Sequence, residues 1–82
     1  FKDQVAIITG GAEGIGKSIA TRIGSEGGIV VLFDLNQQVL ERTVASLQEK
    51  GYAASGYVVD ISQESQVQTH IQVVEKTFGR ID

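Results

Sequence analysis

Four glycines fall within seven residues in the stretch Thr9-Gly10-Gly11-Ala12-Glu13-Gly14-Ile15-Gly16, directly after the apolar run Val5-Ala6-Ile7-Ile8. Glycine permits a tight turn and lets backbone approach a ligand with no Cβ in the way, at an entropic cost for each residue. If a helix starts there, its first amides lack intrahelical partners and point at whatever lies above the turn, and phosphate suits them well. Two carboxylates stand at comparable places further on. Asp34 follows Ile29-Val30-Val31-Leu32-Phe33, and Asp60 follows Tyr57-Val58-Val59. Each could accept hydrogen bonds from a ligand. Each could equally serve the chain itself, Asp34 as a helix cap in competition with Asn36, and Asp60 as the cap of a turn.

Two phosphate chemistries fit the loop. Gly11-Ala12-Glu13-Gly14-Ile15-Gly16-Lys17-Ser18 matches G-x-x-x-x-G-K-[ST], the P-loop of nucleotide triphosphatases, in which Asp34 would be the acidic strand end near Mg²⁺. The same stretch fits T-G-x-x-x-G-x-G, and Asp34 stands 18 residues after Gly16, where a dinucleotide-binding fold needs a carboxylate for the adenosine ribose. Taken alone, the loop does not separate the two.

The elements that must position these groups alternate in type. Three short apolar runs, Val5–Ile8, Ile29–Phe33 and Tyr57–Val59, suit strands buried on both faces, as in a parallel sheet. Between them lie helical patterns. Ile15, Ile19 and Ile23 recur every four residues, ending near Gly27-Gly28. Leu40, Val44 and Leu47 mark a helix from about Gln37 to Lys50, with Gly51 as its stop. A third helix is expected after Ser62 as N-cap, with Glu64 in its first turn, apolar positions Val67, Ile71, Val74 and Phe78, and Gly79 as its end. The order β-α-β-α-β-α with right-handed crossovers gives an α/β fold, a parallel sheet with helices on its faces.

With Asp34 in place, the chain resembles the short-chain dehydrogenases/reductases. Val59-Asp60-Ile61-Ser62 looks like that family's segment beside the adenine ring, and Phe78-Gly79-Arg80-Ile81-Asp82 like its approach to the fourth strand. A P-loop explains none of these together. The resemblance implies a Rossmann-type doubly wound parallel sheet of which residues 1–82 are the N-terminal β-α-β-α-β-α half, a dinucleotide-binding half of a single domain. It implies hydride transfer between a nicotinamide and an alcohol or carbonyl substrate, and a whole protein that forms a homo-oligomer. Cofactor-binding residues would be Gly10, Glu13, Gly14, Ile15, Gly16, Asp34, Leu35, Asp60 and Ile61, with the Ile61 amide facing adenine and Leu35 packed beside the ring. Lys17 and Ser18 would be ordinary first-helix residues, Lys17 solvated.

Asp34 also bears on which nucleotide binds. A carboxylate accepts from both ribose hydroxyls in a charge-assisted geometry. A 2′-phosphate there would set like charges together, at a cost on the order of 4 kcal/mol per unit pair. NADP-preferring members of the family carry a basic residue just before the second loop glycine or just after the second-strand acid, and here those places hold Glu13 and Leu35. NAD is the expected cofactor.

The family's catalytic Tyr-x-x-x-Lys pair cannot be placed, because Tyr52 is followed four residues later by Gly56 and Tyr57 by Ile61. No catalytic residue is assigned, and the catalytic remainder is expected after Asp82. In the strand order 3-2-1-4-5-6 the first strand is central, so a half-sheet would leave it as an open edge. An isolated half-domain that holds ADP-ribose without chemistry is the other reading. A net charge of −3 disfavours a nucleic-acid partner. The absence of cysteine excludes disulfides and thiolate metal sites, and His70, alone on a helix, is expected to be solvated. No apolar run is long enough for a bilayer and no signal-peptide pattern opens the chain, so a cytoplasmic location is expected.

Overall fold

Strand β1 (Val5–Thr9) leads to α1 (Gly14–Ser25), β2 (Ile29–Asp34), α2 (Gln37–Glu49), β3 (Ala53–Val58) and α3 (Glu64–Phe78) in the computed structural model, which describes residues 2–10 and 14–82. The strands form one parallel sheet in the order β1-β2-β3. Thr9 pairs with Phe33, and Asp34 with Val58. Two further backbone bonds run just past the strand ends, Gly10 N–H to the Phe33 carbonyl at 2.7 Å and Val59 N–H to the Asp34 carbonyl at 3.0 Å. This register brings the carboxyl ends of all three strands level, the place where ligands bind in open α/β sheets.

The middle strand is buried on both sides, as its unbroken apolar run requires. Val30 and Leu32 face one way, into a cluster with Ala20 and Ile23 of α1 and Leu40 and Leu47 of α2. Val31 and Phe33 face the other way, with Val5, Val59 and Val74 of α3. Two glycines permit the helices to sit close. A Cβ at Gly56 would lie 2.8 Å from Leu40 Cδ1 and 2.9 Å from Val44 Cγ2, and one at Gly24 would lie 2.9 Å from the Tyr52 side chain. Neither space admits alanine without movement of the neighbours.

Four local expectations are corrected. The third strand starts at Ala53, four residues before Tyr57, and Val59 lies just past its end. Its first four residues, Ala53-Ala54-Ser55-Gly56, carry no bulky apolar run, and on the side that faces α2 they are Ala54 and Gly56, small residues beneath Leu40. Ser62 does not cap α3. The cap residue is Gln63, which makes no side-chain cap bond, and the Ser62 hydroxyl is taken by Asp60 at 2.6 Å. Of the isoleucines on α1, only Ile23 enters the core. Ile15 and Ile19 are exposed, and the buried side is Ala20, Ile23 and Gly24. His70 is half-buried, with its ring 6.0 Å from Phe33 and 5.7 Å from Tyr57. The helices otherwise end as expected, α2 at Glu49 before Gly51 (φ 85°) and α3 at the left-handed Gly79 (φ 79°).

The far side of β1 meets residue 82. Ile29 N–H bonds to the Gln4 carbonyl, so by parallel alternation Val5 turns its polar groups away from β2. Val5 N–H donates to Asp82 Oδ2 at 2.8 Å, and Asp82 N–H donates to the Val5 carbonyl at 2.7 Å. The Arg80 guanidinium, bonded to Asp82 Oδ1 at 2.5 Å, and then the Val5 amide hold the Asp82 carboxyl below its ordinary value of 3.8. A depressed folded value contributes stability that is present above the unfolded value and lost as pH falls through the folded one. Asp82→Ala is therefore expected to melt below the parent at pH 6. In melting curves the gap should narrow only as the pH drops below 3.8.

Candidate functional site

The strand ends converge on one small cleft. Gly10, Phe33, Asp34, Leu35, Val59, Asp60 and Ile61 line a space of about 190 Å³. Phe33 and Val59 form its buried floor, while Leu35 and Ile61 stand exposed at its rim. Both carboxylates line it and, among the described residues, no basic side chain does. The space is smaller than the roughly 300–1,000 Å³ of a pocket enclosing a whole ligand. It therefore has room for a portion of such a ligand and not for the whole. A larger hollow of about 330 Å³ lies between α2 and β3, lined by Leu40, Val44, Gly56, Gln37, Glu41 and Gln48 among others. It reaches Val58 at the end of β3 but includes neither of the carboxylates Asp34 and Asp60 nor the loop residue Gly10.

The loop glycines differ in kind from Gly24 and Gly56. Gly10 has φ 62° and Gly14 φ 59°, and among the described residues a Cβ at either would meet nothing within 4 Å. Protein packing therefore does not require glycine at these places. What requires it is the left-handed backbone. Helix α1 begins at Gly14, with no acidic residue in its first turn to offset the partial positive charge of its amides. Ile15 is exposed and Gly16 half-buried at this helix start. Lys17 is exposed, and the Ser18 hydroxyl donates back to the Gly14 carbonyl at 3.4 Å. Glu13, with Gly11 and Ala12, lies outside the described residues.

Asp34 and Asn36 divide the two roles that the sequence left open between them. Asn36 caps α2, its side-chain oxygen accepting from Val39 N–H at 3.1 Å. Asp34 Oδ1 accepts from Asn36 N–H at 3.0 Å, a local turn that fixes where the carboxyl points. Asp60 also closes a turn. Its Oδ1 accepts from the Ser62 hydroxyl at 2.6 Å and the Ser62 N–H at 3.0 Å, and these bonds, the hydroxyl's first, hold the carboxyl below its ordinary 3.8. The Asp60 N–H donates to Gln66 Oε1 at 3.0 Å.

Five of the expected residues, Gly10, Asp34, Leu35, Asp60 and Ile61, thus share one cleft, and Gly14, Ile15 and Gly16 form the helix start that follows the loop. Sequence reasoning missed Phe33 and Val59 as the floor. The available signal was their place immediately before each strand-end carboxylate. Among the described residues no group of three or more His, Cys, Asp or Glu could hold a metal ion, and no helix is long and apolar enough to cross a membrane.

Residues 4–82 match the family profile of the short chain dehydrogenases, and the chain belongs to that family. A diacetyl reductase of Staphylococcus epidermidis that forms (S)-acetoin is 39% identical over 96% of this chain and 31% of its own length. An NAD⁺-bound xylitol dehydrogenase is 38% identical with a TM-score of 0.95, covering all of this chain and 32% of that one. An actinorhodin polyketide ketoreductase bound to NADPH is 32% identical with a TM-score of 0.92, over 96% of this chain and 30% of its own. The chain spans about a third of the length of the relatives it matches. Family membership decides between the two readings of the loop in favour of the dehydrogenase type.

Proposed function

We propose that this chain is the dinucleotide-binding half of an NAD(H)-dependent oxidoreductase acting on an alcohol or carbonyl substrate, and that it holds the ADP-ribose end of the cofactor. The observation that carries this is the placement of Asp34 in the strand-end cleft, which also holds Gly10 of the glycine loop and, among the described residues, no basic side chain. The residues fit the group. Left-handed glycines and the amides of a helix start suit a pyrophosphate. A carboxylate oriented by Asn36 suits a ribose diol, and the apolar Leu35 and Ile61 suit the faces of a base. The bound nicotinamide would supply the hydride acceptor or donor. This chain's own residues bind and orient, and none is assigned to the chemical step, whose residues belong to the rest of the protein.

Solved relatives carry either NAD⁺ or NADPH on this fold. The preference for NAD therefore rests on charge at the cleft, where Asp34 would face a 2′-phosphate and Leu35 offers nothing to neutralise it. Calorimetric titration with both dinucleotides tests the assignment. NAD should bind more tightly by at least about tenfold, since one unit-charge repulsion exceeds the ~1.4 kcal/mol that a factor of ten represents. Tighter binding of NADP would refute it.

A further inference from the structure

We infer that Gln66, on the first turns of α3, is a positioning residue for recognition of the nucleotide base, acting through the Asp60 backbone. The inference rests on the dinucleotide reading above and deepens it. Val59 N–H makes the last bond to the sheet, to the Asp34 carbonyl at 3.0 Å, and beyond it the chain turns off toward α3. Asp60 is then held through its N–H, its carbonyl and the Oδ1 of its carboxylate. Its carboxyl accepts from Ser62 twice, its carbonyl accepts from Gln63 N–H at 2.9 Å, and its N–H donates to Gln66 Oε1 at 3.0 Å. The Ser62 and Gln63 bonds lie within the turn and make it rigid without aiming it. The Gln66 side chain comes from a regular helix six residues on, so it ties that rigid turn to α3.

The aim of the turn has a chemical consequence. Asp60 and the exposed Ile61 line the same cleft. A carboxylate acceptor followed by a backbone donor matches a base edge with an amine beside an unprotonated ring nitrogen, as in adenine. Hypoxanthine presents the reverse, a carbonyl acceptor beside a ring N–H donor, and would place like groups against like. Discrimination between the two depends on the direction of the turn, whereas pyrophosphate and ribose contacts made elsewhere do not. Gln66 is solvent-exposed, so its removal leaves the core intact.

The test compares binding of NAD and nicotinamide hypoxanthine dinucleotide to the parent protein and to Gln66→Leu, Gln66→Ala and Gln66→Glu. The parent should prefer the adenine cofactor by roughly tenfold, as two mismatched hydrogen bonds imply. Gln66→Leu and Gln66→Ala should each weaken NAD about fivefold, leave the hypoxanthine analogue nearly unchanged and so bring the preference within about twofold. Gln66→Glu, whose carboxylate can accept the same amide, should retain the preference. A preference unchanged in Gln66→Leu and Gln66→Ala, or equal weakening of both cofactors as for a merely structural residue, would overturn the inference while leaving the dinucleotide site standing. A parent protein that binds neither cofactor would instead overturn the functional reading beneath it.

Discussion

Replacing Asp34 with alanine should weaken NAD binding roughly 10- to 100-fold, the equivalent of about 1.5–3 kcal/mol for hydrogen bonds to a charged group. The same change should leave NADP binding little altered or improved, because it removes a repulsion as well as an attraction. The preference between the two cofactors would then collapse. Stability should change far less than affinity, since the N-cap of α2 is Asn36 and stays in place to accept from Val39 N–H. Calorimetry with both dinucleotides, paired with a melting curve, separates these effects. A loss of affinity shared equally by NAD and NADP would mean that the carboxylate does not face the ribose.

Truncating Phe33 to alanine should have the largest effect on folding. Its side chain is fully buried, packs with Val31, Val5, Val59 and Val74 on the α3 side of the sheet, and meets the Tyr57 ring edge-on at 6.1 Å. Large-to-small changes at such positions cost about 3–5 kcal/mol, against a total of roughly 5–15 kcal/mol for a typical domain. The midpoint of urea unfolding should fall accordingly. The variant should also bind nucleotide less well at temperatures where it remains folded, because Phe33 is part of the cleft floor. A shift below about 1 kcal/mol, the range of tolerated volume-conserving core swaps, would show that the site collapses around the missing ring more completely than the packing suggests.

The sheet was legible from the sequence because its two most buried strands are unbroken apolar runs, and the helices because Gly51 and Gly79 end them in left-handed turns. The third strand was legible only in its last two residues, Tyr57 and Val58. Ala53 to Gly56 carry no bulky apolar signal, and at Gly56 the requirement is smallness beneath Leu40 and Val44, a tertiary fact. Ile15 and Ile19 show a related limit. Their helical spacing is real, but which side of α1 is buried is set by Ala20 and Gly24, residues whose small size reads as neutral in a periodicity. Ser62 looked like an N-cap because its type and place suit one, yet its hydroxyl went to Asp60, a nearer and charged acceptor. The competition was local and the sequence named both parties without ranking them.

The cleft itself was legible in outline. Asp34 and Asp60 were found by their position after apolar runs, and the loop by its glycines. Their common cleft follows from the register of a parallel sheet, in which consecutive strand ends come level. Gln66 gave no signal. A glutamine in the first turns of an amphipathic helix reads as a solvated residue, and its bond to Asp60 depends on how the turn before α3 folds back.

The most direct measurement is a backbone amide spectrum recorded while NAD is added. The largest changes should fall on Ile15 and Gly16 at the start of α1, on Asp34 and Leu35, and on Asp60 and Ile61, saturating together with one affinity. Changes limited to Lys17 and Ser18, seen with magnesium nucleoside triphosphate but not with NAD, would contradict the assignment of this cleft to the ADP-ribose of a dinucleotide.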